Sequence, residues 1–238
     1  MTQEQQVIKA LKELGGYTTL RKLYEHLAPN FSEWRTRTPQ NTVNCIVQRS
    51  QEIIKIRPGL WALNDCHSQV LSQLGITNED SNSDAQFDHG YYQGLLVEIG
   101  NFNGMTTYVP SQDKNRRFLD KRLHEIADTT VIPQFTHPEL LKKAKTVDVI
   151  WFNDRNMPAY FYEVEHTTDI RNSLFKFYEL QDFAAEFYIV APSYKKNEFI
   201  SKIQDSVFSS IKDRVKFKRY EDVASRHSAL SQVQQTVW

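Results

Sequence analysis

Residues 146–170 read TVDVIWFNDRNMPAYFYEVEHTTDI, and the fold of the larger part of the chain turns on this stretch. Two runs rich in β-branched and aromatic residues, Val147–Phe152 and Ala159–Val164, flank the polar break Asn153–Pro158. That pattern predicts neighbouring strands joined by a turn. Acids fall inside it at Asp148, Glu163 and Glu165. A carboxylate facing a core is costly unless it is paired or holds a metal. Same-face strand positions are two residues apart, so Glu163 and Glu165 point one way and Val164 the other. Three acids converging from paired strands would form a hard, oxygen-rich pocket of the kind Mg²⁺ uses.

Composition bounds what surrounds this pocket. The chain has 238 residues, 40% hydrophobic and 24% charged, which suits one large globular domain or two small ones. It contains no apolar run long enough to span a bilayer, and its N-terminus, MTQEQQVIKALKELGG, lacks the apolar centre of a signal peptide. Cys45 and Cys66 are too few for a disulfide or zinc framework, so a reduced, cytoplasmic setting is expected. The formal charge of zero hides a polarity: +4 over residues 1–63, −5 over 64–90 and +1 over 91–238. A basic head, an acidic connector and a balanced body suit a small nucleic-acid-binding module tethered to a second domain.

In the basic head, Val7, Ile8, Leu11 and Leu14 recur at helical spacing before Gly15-Gly16. A second helix is predicted over Leu20–Leu27. Thr38-Pro39 opens a third that runs to about Ser50, with Val43, Ile46 and Val47 inward. Ile53–Ile56 and Leu60–Leu63 read as short strands around Arg57-Pro58-Gly59. Three helices followed by a hairpin is the winged-helix arrangement, with helix three reading DNA. Asn41, Asn44 and Gln48 form its outer stripe, and Asn and Gln match the donor and acceptor of adenine. Arg35, Arg37, Arg49, Lys55 and Arg57 are placed to meet phosphates. The same stripe would also suit a merely solvated face or a protein partner.

The segments ALKELGGYTTLRKLYEHLAP, TPQNTVNCIVQ and IRPGLWAL resemble the HARE-HTH family of winged helices over about residues 3–63. The resemblance implies a DNA-binding module often fused to restriction nucleases, for which discrimination of modified bases has been proposed.

Residues 64–90 read as a polar, acidic linker carrying at most a short helix around Val70–Ile76. From Tyr91 a body is expected. Leu95–Ile99 and Thr106–Val109 read as a hairpin, and Arg117–Asp128 shows helical spacing. After the apolar run Val131–Phe135 come a helix near Glu139–Ala144, the acid-bearing strands, and a broad-faced helix over Asp169–Ala185. A strand at Phe187–Ala191, a helix at Lys196–Ile211 and a basic strand at Val215–Tyr220 complete the prediction of a mixed α/β (α+β) fold. No glycine-rich nucleotide loop or nucleophile elbow occurs, so no organic cofactor is expected.

The order helix, strand with Asp, strand with paired acids, helix, apolar strand resembles the PD-(D/E)xK nuclease superfamily. Residues 91–238 would form its nuclease domain. Asp148 takes the Asp position, Glu163 the Asp/Glu position, and Glu165 stands where lysine is usual, as in the E-x-E variant of some type II restriction enzymes. The resemblance implies Mg²⁺ held by Asp148, Glu163 and the carbonyl of Val164, with Glu165 accepting a proton from water or binding a second ion. Glu125 is a candidate to hold a metal-bound water. His166 is a candidate proton shuttle, phosphate contact or structural residue, and Lys176 and Arg171 are candidates for the missing cation. The implied activity is a type II-like restriction endonuclease on double-stranded DNA, acting as a homodimer. Two alternatives stay open: a DNA-binding regulator with an inactive nuclease fold, and a nuclease for damaged or branched DNA.

Overall fold

The structure, a computed structural model, describes residues 1–76, 81–167 and 169–233. The chain divides into two compact units, Met1–Thr77 with Ala224–Trp238, and Asn78–Val223. No helix among the described residues is long and apolar enough to cross a membrane.

The first unit holds helices α1 (Gln3–Glu13), α2 (Leu20–Leu27), α3 (Pro39–Arg49) and α4 (His67–Leu74), and strands β1 (Tyr17–Thr19), β2 (Ile53–Arg57) and β3 (Leu60–Leu63). A capping box starts α1: the Gln5 amide donates to the Thr2 hydroxyl at 3.1 Å, and Gln5 Oε1 accepts the Thr2 amide at 2.9 Å. Gly15 and Gly16 end that helix at φ +88° and +89°, a left-handed turn that side chains resist. The strands pair antiparallel in the order β1-β3-β2. Leu11, Leu23, Leu27, Val43, Val47 and Trp61 fill the core, and each such leucine contributes about 1.5–3 kcal/mol by leaving water. The predicted helices and strands of this region all form. β1 and α4 extend them, and Thr38, though it precedes α3, makes no side-chain cap.

The second unit is built on a mixed five-stranded sheet in the order β10-β9-β8-β7-β4. Its strands are β4 (Thr106–Tyr108), β7 (Val149–Phe152), β8 (Pro158–Val164), β9 (Glu186–Ala191) and β10 (Val215–Arg219). β7 pairs antiparallel with both β4 and β8, whereas β8, β9 and β10 run parallel. One face carries Ile150, Phe152, Phe161, Phe187 and Ile189, packed in one core with Leu174 and Phe177 of α8 (Ile170–Glu179). The side chains of alternate positions, Trp151, Tyr160, Tyr162 and Tyr188, form an aromatic ladder with centroid spacings of 4.6–6.3 Å. The hairpin β5 (Arg117–Phe118) and β6 (Lys121–Arg122) and helices α5 (Ser81–Phe102), α6 (Leu123–Ile126), α7 (Pro138–Ala144), α9 (Lys196–Ile203) and α10 (Tyr220–Val233) complete the elements.

Several sequence expectations are corrected. Leu95–Ile99 is no hairpin strand but part of α5, whose Tyr91, Tyr92, Leu95, Leu96, Val97 and Ile99 are all buried. A helix enclosed on all sides loses the polar stripe that reveals its period. Arg117–Asp128 forms the β5–β6 hairpin and one helical turn, with Leu119 at φ +55° breaking the helical path. α8 ends at Glu179 rather than Ala185, and α9 at Ile203 rather than Ile211, each followed by turns. Much of the 64–90 stretch is helical, in α4 and the start of α5. Its residues 77–80 lie outside the described residues.

Candidate active site

The register Val149↔Tyr162 places Asp148, one residue before β7, beside Glu163, one residue further along β8. Glu165 follows just beyond β8, its amide bonded to the Val190 carbonyl at 2.8 Å. All three carboxylates are buried, with residue exposures of 7%, 2% and 5%. The structure therefore brings together the three acids singled out in the sequence.

Each acid has defined partners. Asp148 Oδ2 accepts the Val164 amide at 2.7 Å. Glu163 accepts from Lys176 Nζ at 2.7 and 3.0 Å and from the Ser173 hydroxyl at 3.0 Å. Ser173 also bonds Glu165, so one hydroxyl links both glutamates. Lys176 is fixed from behind by the Thr146 carbonyl at 2.9 Å. Ser173 and Lys176 lie three apart on α8, one face of a helix started by Asp169, whose carboxylate accepts the Arg171 amide.

Charge is in excess here. Burial, then the charge of Asp148, push the Glu163 carboxyl well above its ordinary value, against the pull of Lys176. Burial also raises Glu165, although the Ser173 bond opposes it. Burial acts to lower Lys176, but the surrounding acids hold it above its ordinary value.

The supporting candidates divide. His166 stacks on Tyr220 and approaches Asp88 at 3.5 Å, while the Tyr220 hydroxyl donates to the Glu165 carbonyl at 3.2 Å. Glu125 is exposed and accepts the Arg122 amide at 2.6 Å, capping α6, with no contact to the three acids among the described residues. Arg171 pairs with Asp205 at 3.0 Å, away from the acids. In the first unit, Arg35, Arg37, Asn41, Gln48, Arg49 and Lys55 are exposed, and Asn44 and Arg57 partly so. Gln48 Nε2 donates to Asn44 Oδ1 at 3.1 Å, so these two amides share one stripe of α3.

The sequence did not single out Ser173, or a second cluster around Asp148. His89 and Gln93, one turn apart on α5, and Asp113 meet there. His89 Nε2 lies 3.4 Å from Asp148 Oδ1 and 3.7 Å from Asp113 Oδ2. Gln93 Nε2 donates to Asp113 Oδ2 at 2.9 Å and to the Asp148 carbonyl at 3.1 Å. Burial lowers the His89 imidazole, but the two carboxylates outweigh it and lift it to about 10. Burial acts to raise Asp113, yet the neighbouring His89, Arg116 and Gln93 hold it far below the carboxylate range.

The three buried acids thus stand at the meeting ends of two neighbouring strands of a mixed sheet. Residues 70–236 match the family described as the Type II restriction enzyme NmeDI C-terminal domain, and the chain belongs to this family. It is also 28% identical over 152 residues to the Type II restriction enzyme NmeDI of Neisseria meningitidis serogroup C. That alignment covers 58% of this chain and 42% of that enzyme, so the chain matches less than half of its relative's length. No solved structure matches the chain.

Proposed function

We propose that the chain is a divalent-metal-dependent endonuclease of the type II restriction class, cutting double-stranded DNA at a specific site. The observation that carries this is the meeting of Asp148, Glu163 and Glu165 with Lys176 in a chain of a restriction-enzyme family. The arrangement supports an E-x-E form of the PD-(D/E)xK site. Buried hard oxygens in excess of their cations are a donor set that fits Mg²⁺. Asp148, Glu163 and the Val164 carbonyl would hold the ion. When bound, it would offset the charge that builds on the phosphoryl oxygens during cleavage.

The protein groups do the rest. Lys176 brings to Glu163 the positive charge that the motif lacks at position 165. Glu165, raised by burial, is the better proton acceptor for it, and serves as the base for the attacking water. Ser173 keeps both glutamates in register. Residues 1–63 act as a winged helix of HARE-HTH type. The stripe Asn41, Asn44 and Gln48 reads the major groove, and Arg35, Arg37, Arg49, Lys55 and Arg57 meet phosphates. A homodimer gives each strand its own site, and the winged helix makes cutting sensitive to base modification.

The test is incubation of the purified full chain with modified and unmodified plasmid and phage DNA plus Mg²⁺. Defined fragments are the expected result. Tight binding of these DNAs without a cut would instead establish a DNA-binding regulator with an inactive nuclease fold. Glu165, standing where lysine is usual, is the feature that favours that second outcome.

A further inference from the structure

His89, Asp113 and Asp148 present ligand atoms that all lie within 4.8 Å of one another. Each carboxylate is held by one set of contacts and offers an oxygen to the same point. Asp148 uses Oδ2 for the Val164 amide and turns Oδ1 towards His89. Asp113 uses Oδ1 for Arg116 and turns Oδ2 towards His89. Such outer contacts are what orient metal ligands.

Two buried atoms are left over. His89 Nε2 hydrogen-bonds neither carboxylate, and Gln93 Oε1 has no partner among the described residues. Gln93 is wholly buried, and the nitrogen of the same amide already touches Asp113 and the Asp148 carbonyl, so its oxygen sits beside the cluster. A bare imidazolium between two carboxylates would close to about 2.7–2.9 Å. The separations of 3.4 and 3.7 Å are instead those of ligands spaced around a common centre. With metal–ligand bonds of about 2.0–2.2 Å, tetrahedral neighbours stand roughly 3.3–3.6 Å apart.

We propose that His89 Nε2, Asp113 Oδ2 and Asp148 Oδ1 form a site for a borderline divalent cation of the Zn²⁺, Co²⁺ or Mn²⁺ class. One imidazole with two carboxylates favours these ions over Mg²⁺. The site shares only Asp148 with the proposed cleavage centre and needs neither glutamate nor Lys176. Occupied, it joins α5 and the Asp113 segment to Asp148 just before β7. The Gln93 amide oxygen supplies a further neutral donor, directly or through a water.

Co²⁺ is the probe. The full-length chain, stripped with chelator, is titrated with Co²⁺ and followed by visible absorption and calorimetry, without DNA. The expected result is a saturable Co²⁺ spectrum displaced by Zn²⁺, with affinity reduced at least about tenfold in His89→Ala and in the near-isosteric Asp113→Asn. His137→Ala, which removes an exposed histidine elsewhere, should bind as the parent does. A parent chain without a saturable spectrum overturns the site. So does a spectrum that survives His89→Ala and Asp113→Asn but vanishes in Glu163→Gln, which would assign the ion to the proposed cleavage centre. Because no cleavage is measured, a failure of the nuclease proposal leaves this result standing.

Discussion

Lys176 Nζ lies 2.7 Å from Glu163 Oε2 and 3.0 Å from Oε1, bridging the carboxylate from a helix that follows the strand. A lysine charge thus reaches Glu163 from another element, while Glu165 itself is bonded to Ser173.

Lys176→Met should lower single-turnover cleavage by about 10²–10³-fold, the cost of removing one pre-placed charge from a reaction centre. Lys176→Arg should recover part of that loss, because it keeps the charge but alters its geometry. Equal rates for the parent and Lys176→Met would remove Lys176 from the mechanism.

Ser173 is 1% exposed, and its hydroxyl stands between Glu163 and Glu165 with one proton for the two. Ser173→Ala removes that shared donor from two buried carboxylates, which should cost about 1–3 kcal/mol in urea unfolding. An unchanged midpoint and slope would mean that water replaces the hydroxyl at no cost.

How much of this was open to the sequence depended on distance along the chain. Density of β-branched and aromatic residues marked Val147–Phe152 and Ala159–Val164, and the acids in and just after them pointed to the pocket. The first unit, whose elements are short and separated by Gly and Pro, was also legible. α5 was not, because Tyr91, Leu95 and Ile99 are buried on all sides, and Gly94 and Gly100 interrupt its run. Those glycines are contact points: a Cβ on Gly94 would fall 2.1 Å from Phe118 Cδ2, and one on Gly100 2.5 Å from Thr107 Cγ2. Gln93 reaches Asp148 across 55 positions, so no local spacing announced it. The only local trace was His89 and Gln93 standing one helical turn apart. Ser173 and Lys176, three apart after the strand, were nearer to view.

Gly94→Ala follows from that packing. In a helix alanine normally gains about 0.8–1.0 kcal/mol over glycine. Here the clash with the buried Phe118 ring should reverse the sign and destabilise the second unit by about 1–3 kcal/mol. A raised melting temperature for Gly94→Ala would show that Phe118 yields freely.

The proposed winged helix gives a salt-dependent signature. Arg35→Ala and Arg37→Ala should each weaken DNA binding across all sequences and reduce the salt slope by about 1. Asn44→Ala with Gln48→Ala should weaken the preferred site by about 1–3 kcal/mol per lost base contact, leaving non-specific affinity in place. Titrations of specific and random duplexes at several salt concentrations separate the two behaviours. Identical losses on both duplexes would deny α3 a reading role.

Glu163→Gln keeps the volume of the buried side chain and removes its charge, and so bears most directly on the proposed cleavage centre. DNA cleavage in Mg²⁺ and DNA affinity in its absence are measured for the parent and this variant on the same duplex. The expected result is defined cleavage by the parent, loss of it in Glu163→Gln, and affinities within a few-fold of each other. Cleavage by Glu163→Gln at the parent's rate would remove Glu163 from the centre.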